Sequence, residues 1–404
     1  MRPRHTRRRG TLTATAATLV ALCAAQTLSV ASAATAAPAP DRAAAAAAHS
    51  RTATQAAVTS AQERAAKAVA RSLGDASWNK SLRAAALKSA EVPVAERATG
   101  SLKAQLAAAD QDIVKAKGLD AKTGSLLRLR LGDASMRAAL EAGTAPWVAA
   151  AVSDDDMTTV TAYDSQGVAH QLSADKAPTR PVYVIDVDGD KALAAGLDVM
   201  REEFNKAGVP SAGPGAVNTT PQSQAQVPAA KQPAGVAAVA TAGYWSTKIT
   251  AVHLNNDEEP WIKGGAEIYS LVSGFGLDGK VRVDPVTMPY IKDDGVVYRP
   301  NQLLVNWSSY KYNLADVVMM EEDGSTNYRD LAKAVAGILL TITDQGAYIP
   351  LVNAILDAIP DSWWTDDPDY VESWYTLAQQ SKGTLYGARG NGYMTVEPYF
   401  VQQF

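Results

Sequence analysis

Cysteine is almost absent from this chain: its 404 residues contain one, Cys23. A single thiol cannot close an intrachain disulfide or build a Cys-based zinc site. Histidine is nearly as scarce, with His5 in a basic N-terminal segment and His49, His170 and His253 far apart along the chain. The sequence has no His-Glu-x-x-His motif for zinc and no Gly-x-Ser-x-Gly turn for a serine nucleophile. Excess positive charge is missing too, since 38 Lys+Arg face 42 Asp+Glu. That balance does not suit nucleic acid, whose phosphates demand a basic surface.

The charge that is present is unevenly spread. The chain opens "MRPRHTRRRG" and continues uncharged from Thr11 to Ala33, ending Ala31-Ser32-Ala33. A basic start, an apolar stretch and a small-x-small end describe a secretory signal cleaved near Ala33, so the expected location is extracellular, with no transmembrane anchor after cleavage. Leu22 before Cys23 does not fit a lipoprotein anchor, and "TRRRGTL" leaves the general and twin-arginine export routes both open. Without the five signal arginines, 33 basic residues oppose 42 acids. Residues 34–242 carry 22 basic and 21 acidic residues, whereas 243–404 carry 11 and 21. The surplus negative charge belongs to the C-terminal part, where divalent cations are the natural counterions.

Periodicity divides the remainder. Residues 34–55 are Ala/Pro/Thr-rich and are expected to form a disordered leader. Alanine and leucine at helical spacing predict helices over 60–73, 76–89 and 94–117, and later over 191–207. "PWVAAAV", "TTVTAYD", "GVAHQLS" and "RPVYVIDVD" predict short strands between them. Residues 208–242 contain no acid and abundant Pro, Gln, Ala and Gly, which predicts a linker. Residues 243–404 then predict six strands, interrupted by helices over 326–342 and 349–359 that Asp344 and Gly346 split into lengths too short to span a bilayer. The expected fold is α+β: a helical and small-sheet domain over 56–207, a flexible linker, and an acidic antiparallel β-sandwich over 243–404 with an inserted helical hairpin.

The acids of that sandwich cluster at expected strand ends. Asp257, Glu258 and Glu259 precede Glu267; Glu321, Glu322 and Asp323 follow "DVVMM"; Asp366 and Asp367 lie in "DDPD". Calcium needs six to eight oxygen ligands pooled from neighbouring loops, and the loops at one pole of a sandwich supply that geometry. These nine carboxylates are therefore the candidate calcium ligands, and calcium the candidate cofactor. Separate solvated turns are the alternative. "VYVIDVDGD" (182–190) places Asp-x-Asp-Gly after an apolar strand, as phosphatases of the haloacid dehalogenase type do. Asp190 replaces the usual Thr, however, and too little chain follows before the linker for the distal motifs. A strand entering a turn is the better description.

Six of the eight tryptophans fall after residue 243. Most serve packing, and those in "DSWWTDDPDYVESWY" (361–375) are candidates for a glycan, cell-wall or lipid-headgroup surface. The segments "ITAVHLNNDEEPWIKGGAEIYSLVSG" and "VVMMEEDGSTNY", with "PVYVIDVDGD" before them, resemble a family of secreted bacterial proteins known only as a domain of unknown function. "DEEPWIKGGAEIY" and "MMEEDGS" carry the resemblance most specifically. It covers most of the chain and implies no catalytic residue. The acidic turn before "EIY" is also similar to calcium-dependent lipid-binding β-sandwich modules, whose ligand spacing this chain departs from. The sequence points to a secreted, calcium-stabilised binding protein for a glycan, cell-wall or protein ligand. A carboxylate-dependent hydrolase and a protein whose N-terminal domain acts as a propeptide or inhibitor are the alternatives.

Overall fold

In the computed structural model, the described residues are 40–151, 157–174, 176–212, 243–255, 266–322, 324, 326–359 and 370–402, with side chains from 53 onward. The expected signal peptide over 1–33 lies outside them. The first half runs α1 (Pro40–Ser72), α2 (Ala76–Lys88), β1 (Glu91–Val92), α3 (Val94–Arg97), α4 (Gly100–Ala116), β2 (Leu127–Leu131), α5 (Arg137–Glu141), β3 (Trp147–Ala150), β4 (Thr159–Tyr163), β5 (Ala169–Ser173), β6 (Val182–Val187) and α6 (Gly189–Ala207). The second half runs β7 (Gly243–Leu254), β8 (Ile268–Phe275), β9 (Val281–Thr287), β10 (Val297–Tyr298), β11 (Gln302–Asn306) and β12 (Leu314–Glu321). It continues with α7 (Tyr328–Leu339), α8 (Val352–Ala358), β13 (Tyr370–Ala378), β14 (Gly383–Tyr386) and β15 (Gly392–Gln402).

The leader expected over 34–55 is helical from Pro40 onward, because an alanine run is the best helix former there is. Its end is packed as well: Thr54 is buried and its Oγ1 donates to the Ala116 carbonyl at 3.3 Å. The first sheet has the order β1-β2-β6-β3-β4-β5, with β3 and β6 parallel and the other neighbours antiparallel. β2 reads Leu-Arg-Leu-Arg-Leu, and the alternation buries Leu127 and Leu129 under the helices while Arg128 and Arg130 take the other face.

The second half is a β-sandwich, as its alternating strands predict. An outer sheet of order β10-β7-β15-β14, with β11 also on β7, faces an inner sheet of order β13-β12-β8-β9. Ile249, Val252, Met394 and Val396 from the outer sheet meet Val272, Val317, Met319 and Trp374 from the inner one. The inner sheet is apolar on both faces. Every residue of β8 is buried, and β12 sends Val318 and Met320 away from the sandwich into the helices.

Those helices come from both halves of the chain, which overturns the expectation of two lobes on a linker. Val58 of α1, Ile113 of α4 and Leu193 and Phe204 of α6 share one apolar cluster with Leu271, Val318, Leu331 and Ile355. Residues Ala39–Phe404 form one compact unit. The cause is the inner sheet's second apolar face. α7 and α8 have 12 and 7 residues, too short to cover four strands, so α6 packs on α7 and β9 while α1 packs on α7 and α8. Even the start of the expected linker is docked. Val209 is buried, Pro210 accepts a hydrogen bond from the Val283 amide, and the Ala212 amide donates to Asp284. Residues 213–242 lie outside the described ones. Among the described residues, no helix is long and apolar enough to cross a membrane.

Candidate functional site

Three of the nine candidate calcium ligands fall among the described residues, and strand geometry sorts them. Glu321 is the last residue of β12 and pairs with Ile268, a member of the sandwich core, so alternation directs it to the sandwich face. Glu322 follows on the opposite face, where its amide donates to the carbonyl of Glu267 at 3.0 Å. Glu267 and Glu322 are thus cross-strand neighbours under the helices, and each already has a lysine. Lys292 Nζ lies 3.1 Å from Glu267 Oε1 and 2.9 Å from Asp190 Oδ1. Lys117 Nζ lies 2.5 Å from Glu322 Oε1, and that pair is sealed from solvent. An ammonium at either carboxylate holds the charge a cation would need, so Glu267, Glu321 and Glu322 do not combine as calcium ligands. Among the described residues, no group of three acids or histidines can hold a metal ion. Asp257, Glu258, Glu259, Asp323, Asp366 and Asp367 lie outside the described residues.

Burial, opposed by Lys292, pushes the Glu267 carboxyl up to about 8. Its side chain rests on Gly189 at the start of α6, where a Cβ would come within 2.3 Å of Glu267 Cδ. The carboxylates of "VIDVDGD" have structural tasks, consistent with a strand entering a turn. Asp186 pairs with Arg130 at 2.9 Å, and Asp188 pairs with Arg128 while capping α6 through the Lys191 amide.

The aromatic segment 361–375 is described only from Tyr370 onward. Tyr370 and Trp374 are buried, Tyr375 is half exposed, and 361–369 lie outside the described residues. A row of ring-bearing residues lies instead on the solvent face of the outer sheet. Val297, His253, Tyr393 and Tyr386 are direct cross-strand partners, one from each strand, and form a straight row across β10, β7, β15 and β14. The His253 and Tyr393 rings stack at 5.2 Å and 10°, and Tyr386 meets Tyr393 edge-on at 5.9 Å. Tyr386 is 78% exposed. One pleat along, the Thr384 and Thr395 hydroxyls touch at 3.1 Å, and farther along the same face of β15 Lys248 pairs with Glu397 beneath Tyr399.

A family model described as protein of unknown function, DUF3103, matches residues 53–404. The chain belongs to DUF3103. The match takes in both halves, as one shared core requires. No curated protein and no solved structure matches this DUF3103 chain.

Sequence reasoning missed the aromatic row because its members are scattered over 253–393 and become neighbours only through register. The alternation in "GTLY" and "GYMTV" was its only local trace. Sequence reasoning also missed Lys117, which stands in an Ala/Lys-rich helix end that reads as solvated. A cleft of about 930 Å³ between α4 and the start of α7 includes Lys103, Lys115 and Arg329. Arg329 is held there by Glu203 and Asp120.

Proposed function

We propose that this DUF3103 protein is a non-catalytic extracellular or cell-surface binding protein whose outer-sheet face takes an extended polysaccharide. The observation that carries the reading is the cross-strand row Val297–His253–Tyr393–Tyr386 with threonine hydroxyls beside it. A pyranose ring has an apolar C–H face and a rim of hydroxyls. Tyrosine offers the matching apolar plane with a polar tip. Exposed aromatic surface on a sheet needs a reason, and binding is the commonest one. Export by the N-terminal segment would place this face where such polymers occur.

The test is co-sedimentation of the purified protein with insoluble cell-wall polysaccharide. Wild type should enter the pellet, and the Tyr386→Ala/Tyr393→Ala double variant should stay in the supernatant with an unchanged circular dichroism spectrum. Equal partition of the two would refute the reading. A carboxylate-dependent hydrolase is the second reading, favoured by the Glu267 carboxyl raised to about 8. It requires that Glu267→Gln abolish turnover of a polysaccharide that wild type cleaves. The propeptide alternative sits poorly with the shared core, since excising the first half would uncover the inner sheet. Calcium binding now rests on Asp257, Glu258, Glu259, Asp323, Asp366 and Asp367, and calorimetric titration with calcium tests it.

A further inference from the structure

Lys117 is the C-cap residue of α4, and Glu322 stands just past the end of β12, 205 residues later. The junction between them is tightly fixed. The Tyr328 amide donates to the Lys117 carbonyl at 3.1 Å, and Asn327 Nδ2 donates to the Ala116 carbonyl at 3.0 Å. Lys117 Nζ touches Glu322 Oε1 at 2.5 Å and donates to the Gly324 carbonyl at 2.9 Å. The Gly324 amide in turn donates to Glu322 Oε1 at 2.8 Å. Lys117 and its carboxylate partner have side-chain exposures of 0% and 2%.

As an ion pair, this arrangement leaves groups unmatched. An ammonium has three N–H bonds and finds two acceptors here, while Glu322 Oε2 and the adjacent Tyr328 hydroxyl, both buried, make no hydrogen bond. An amide would dispose of the spare Oε2 and of the ammonium's third N–H. It has one N–H, for the Gly324 carbonyl, and one C=O, for the Gly324 amide, and Gly324 already offers this complementary pair. The surplus oxygen and protons would leave as water.

We infer that Lys117 and Glu322 condense into an intramolecular isopeptide cross-link joining the two halves of the chain. The Lys117 ammonium passes one proton to the Glu322 carboxylate. The freed nitrogen lone pair adds to Cδ, forming the C–N bond. The C–O bond then breaks, and the hydroxyl leaves with a second nitrogen proton as water. No oxidant or other reagent is consumed. The Tyr328 hydroxyl, next to the carboxylate, donates to its oxygen as charge builds there, acting as a polarising residue. Holding amine and acid in contact supplies the effective concentration that free solutes lack, on the order of 10⁵ M or more for well-oriented groups. The single cysteine excludes an intrachain disulfide, so this amide would be the covalent staple of the chain.

Intact-mass measurement of the purified, denatured full chain decides the matter. Its mass should fall one water below the value calculated from its sequence, and digestion should yield the Lys117 and Glu322 peptides joined. Lys117→Met should show the full calculated mass. Glu322→Gln should fall one ammonia below its own, because the same attack then expels ammonia. Tyr328→Phe should be isolated with a fraction of its chains unjoined at the full calculated mass, and a fully joined Tyr328→Phe protein would remove Tyr328 from its role. A wild-type protein with the full calculated mass and separate peptides would overturn the cross-link, however the variants fold.

Discussion

Replacing Gly196 with alanine tests whether the two halves share a core, because two opposing effects meet at that residue. Gly196 lies inside α6, and a Cβ there would fall 2.4 Å from three atoms of the Tyr328 ring on α7. Helix propensity alone favours alanine over glycine by ~1 kcal/mol. Against this, ordinary contact begins at 3.4 Å, so the ring or the helix must retreat by about 1 Å. Tyr328 is fully buried, and its amide is tied to the Lys117 carbonyl. Little slack remains, and overpacking belongs at the upper end of its usual ~1–3 kcal/mol. Gly196→Ala should therefore lose ~2 kcal/mol net. Urea unfolding followed by tryptophan fluorescence and near-ultraviolet circular dichroism should show one transition with a lowered midpoint and an unchanged slope. The penalty should shrink toward zero in the Tyr328→Leu background, a coupling of ~1–3 kcal/mol. A Gly196→Ala protein as stable as wild type would refute the seating of α6 on α7. Two separate transitions in wild type would refute the common core.

Glu267 makes stability depend on pH in the direction opposite to most acids. Its folded carboxyl is raised from 4.5 to about 8, so between those values the folded state keeps a proton that the unfolded state has released. This contribution is fully present below the ordinary value and is lost as pH rises through about 8. At ~1.4 kcal/mol per pH unit the loss is bounded near 5 kcal/mol, and the side chain's partial exposure brings it to ~2–3 kcal/mol. Glu267→Gln should flatten the high-pH limb of a thermal-stability profile, and an unchanged profile would contradict the assignment. Gly189→Ala should flatten the same limb, since its methyl group would displace the carboxylate toward water. Asp284→Ala should cost ~3–5 kcal/mol by leaving Arg282, its partner at 2.7 Å, buried without a carboxylate. A melting temperature equal to wild type would show that water reaches that pair. Tyr386→Ala should change stability by less than ~0.5 kcal/mol, as its exposure requires, yet weaken polysaccharide binding about tenfold or more.

Elements with a local signature were legible. The helix α7 within 326–342, the strands around "VYVIDV" and the alternating strands of the sandwich all follow from spacing. β2 was equally available in "LRLRL" and was overlooked beside the helical runs on either side. β13 was hidden because "YVESWYTLA" mixes acid with aromatics and reads as a binding turn, whereas its first five residues are buried. Glu372 explains how: its carboxylate accepts from the amides of Ser373, Arg389 and Asn391, so a buried acid there closes a backbone network. Clustered acids misled for the same reason at Glu321 and Glu322. Adjacency in sequence places neighbouring strand residues on opposite faces, and no composition argument can show which lysine waits on either side.

The seam between the halves is where sequence reading fails most, and its chemistry explains why the halves dock in one way. Apolar burial has no direction, so α6 and α4 could slide along the inner sheet with little change in area. The polar contacts across the seam remove that freedom: Lys117 with Glu322, Lys292 with Asp190, Arg201 with the Pro285 carbonyl and the Ala212 amide with Asp284. Before the two side chains join, a displacement of one helical turn would bury Lys117 away from Glu322, and an unpaired buried charge costs ~3–5 kcal/mol. At ~1.4 kcal/mol per tenfold, that depopulates the shifted docking by a factor of at least about one hundred. The two halves therefore share one core rather than standing as separate lobes, for a physical reason. The inner sheet needs a second cover, and charged side chains that looked solvated in the sequence fix where that cover sits.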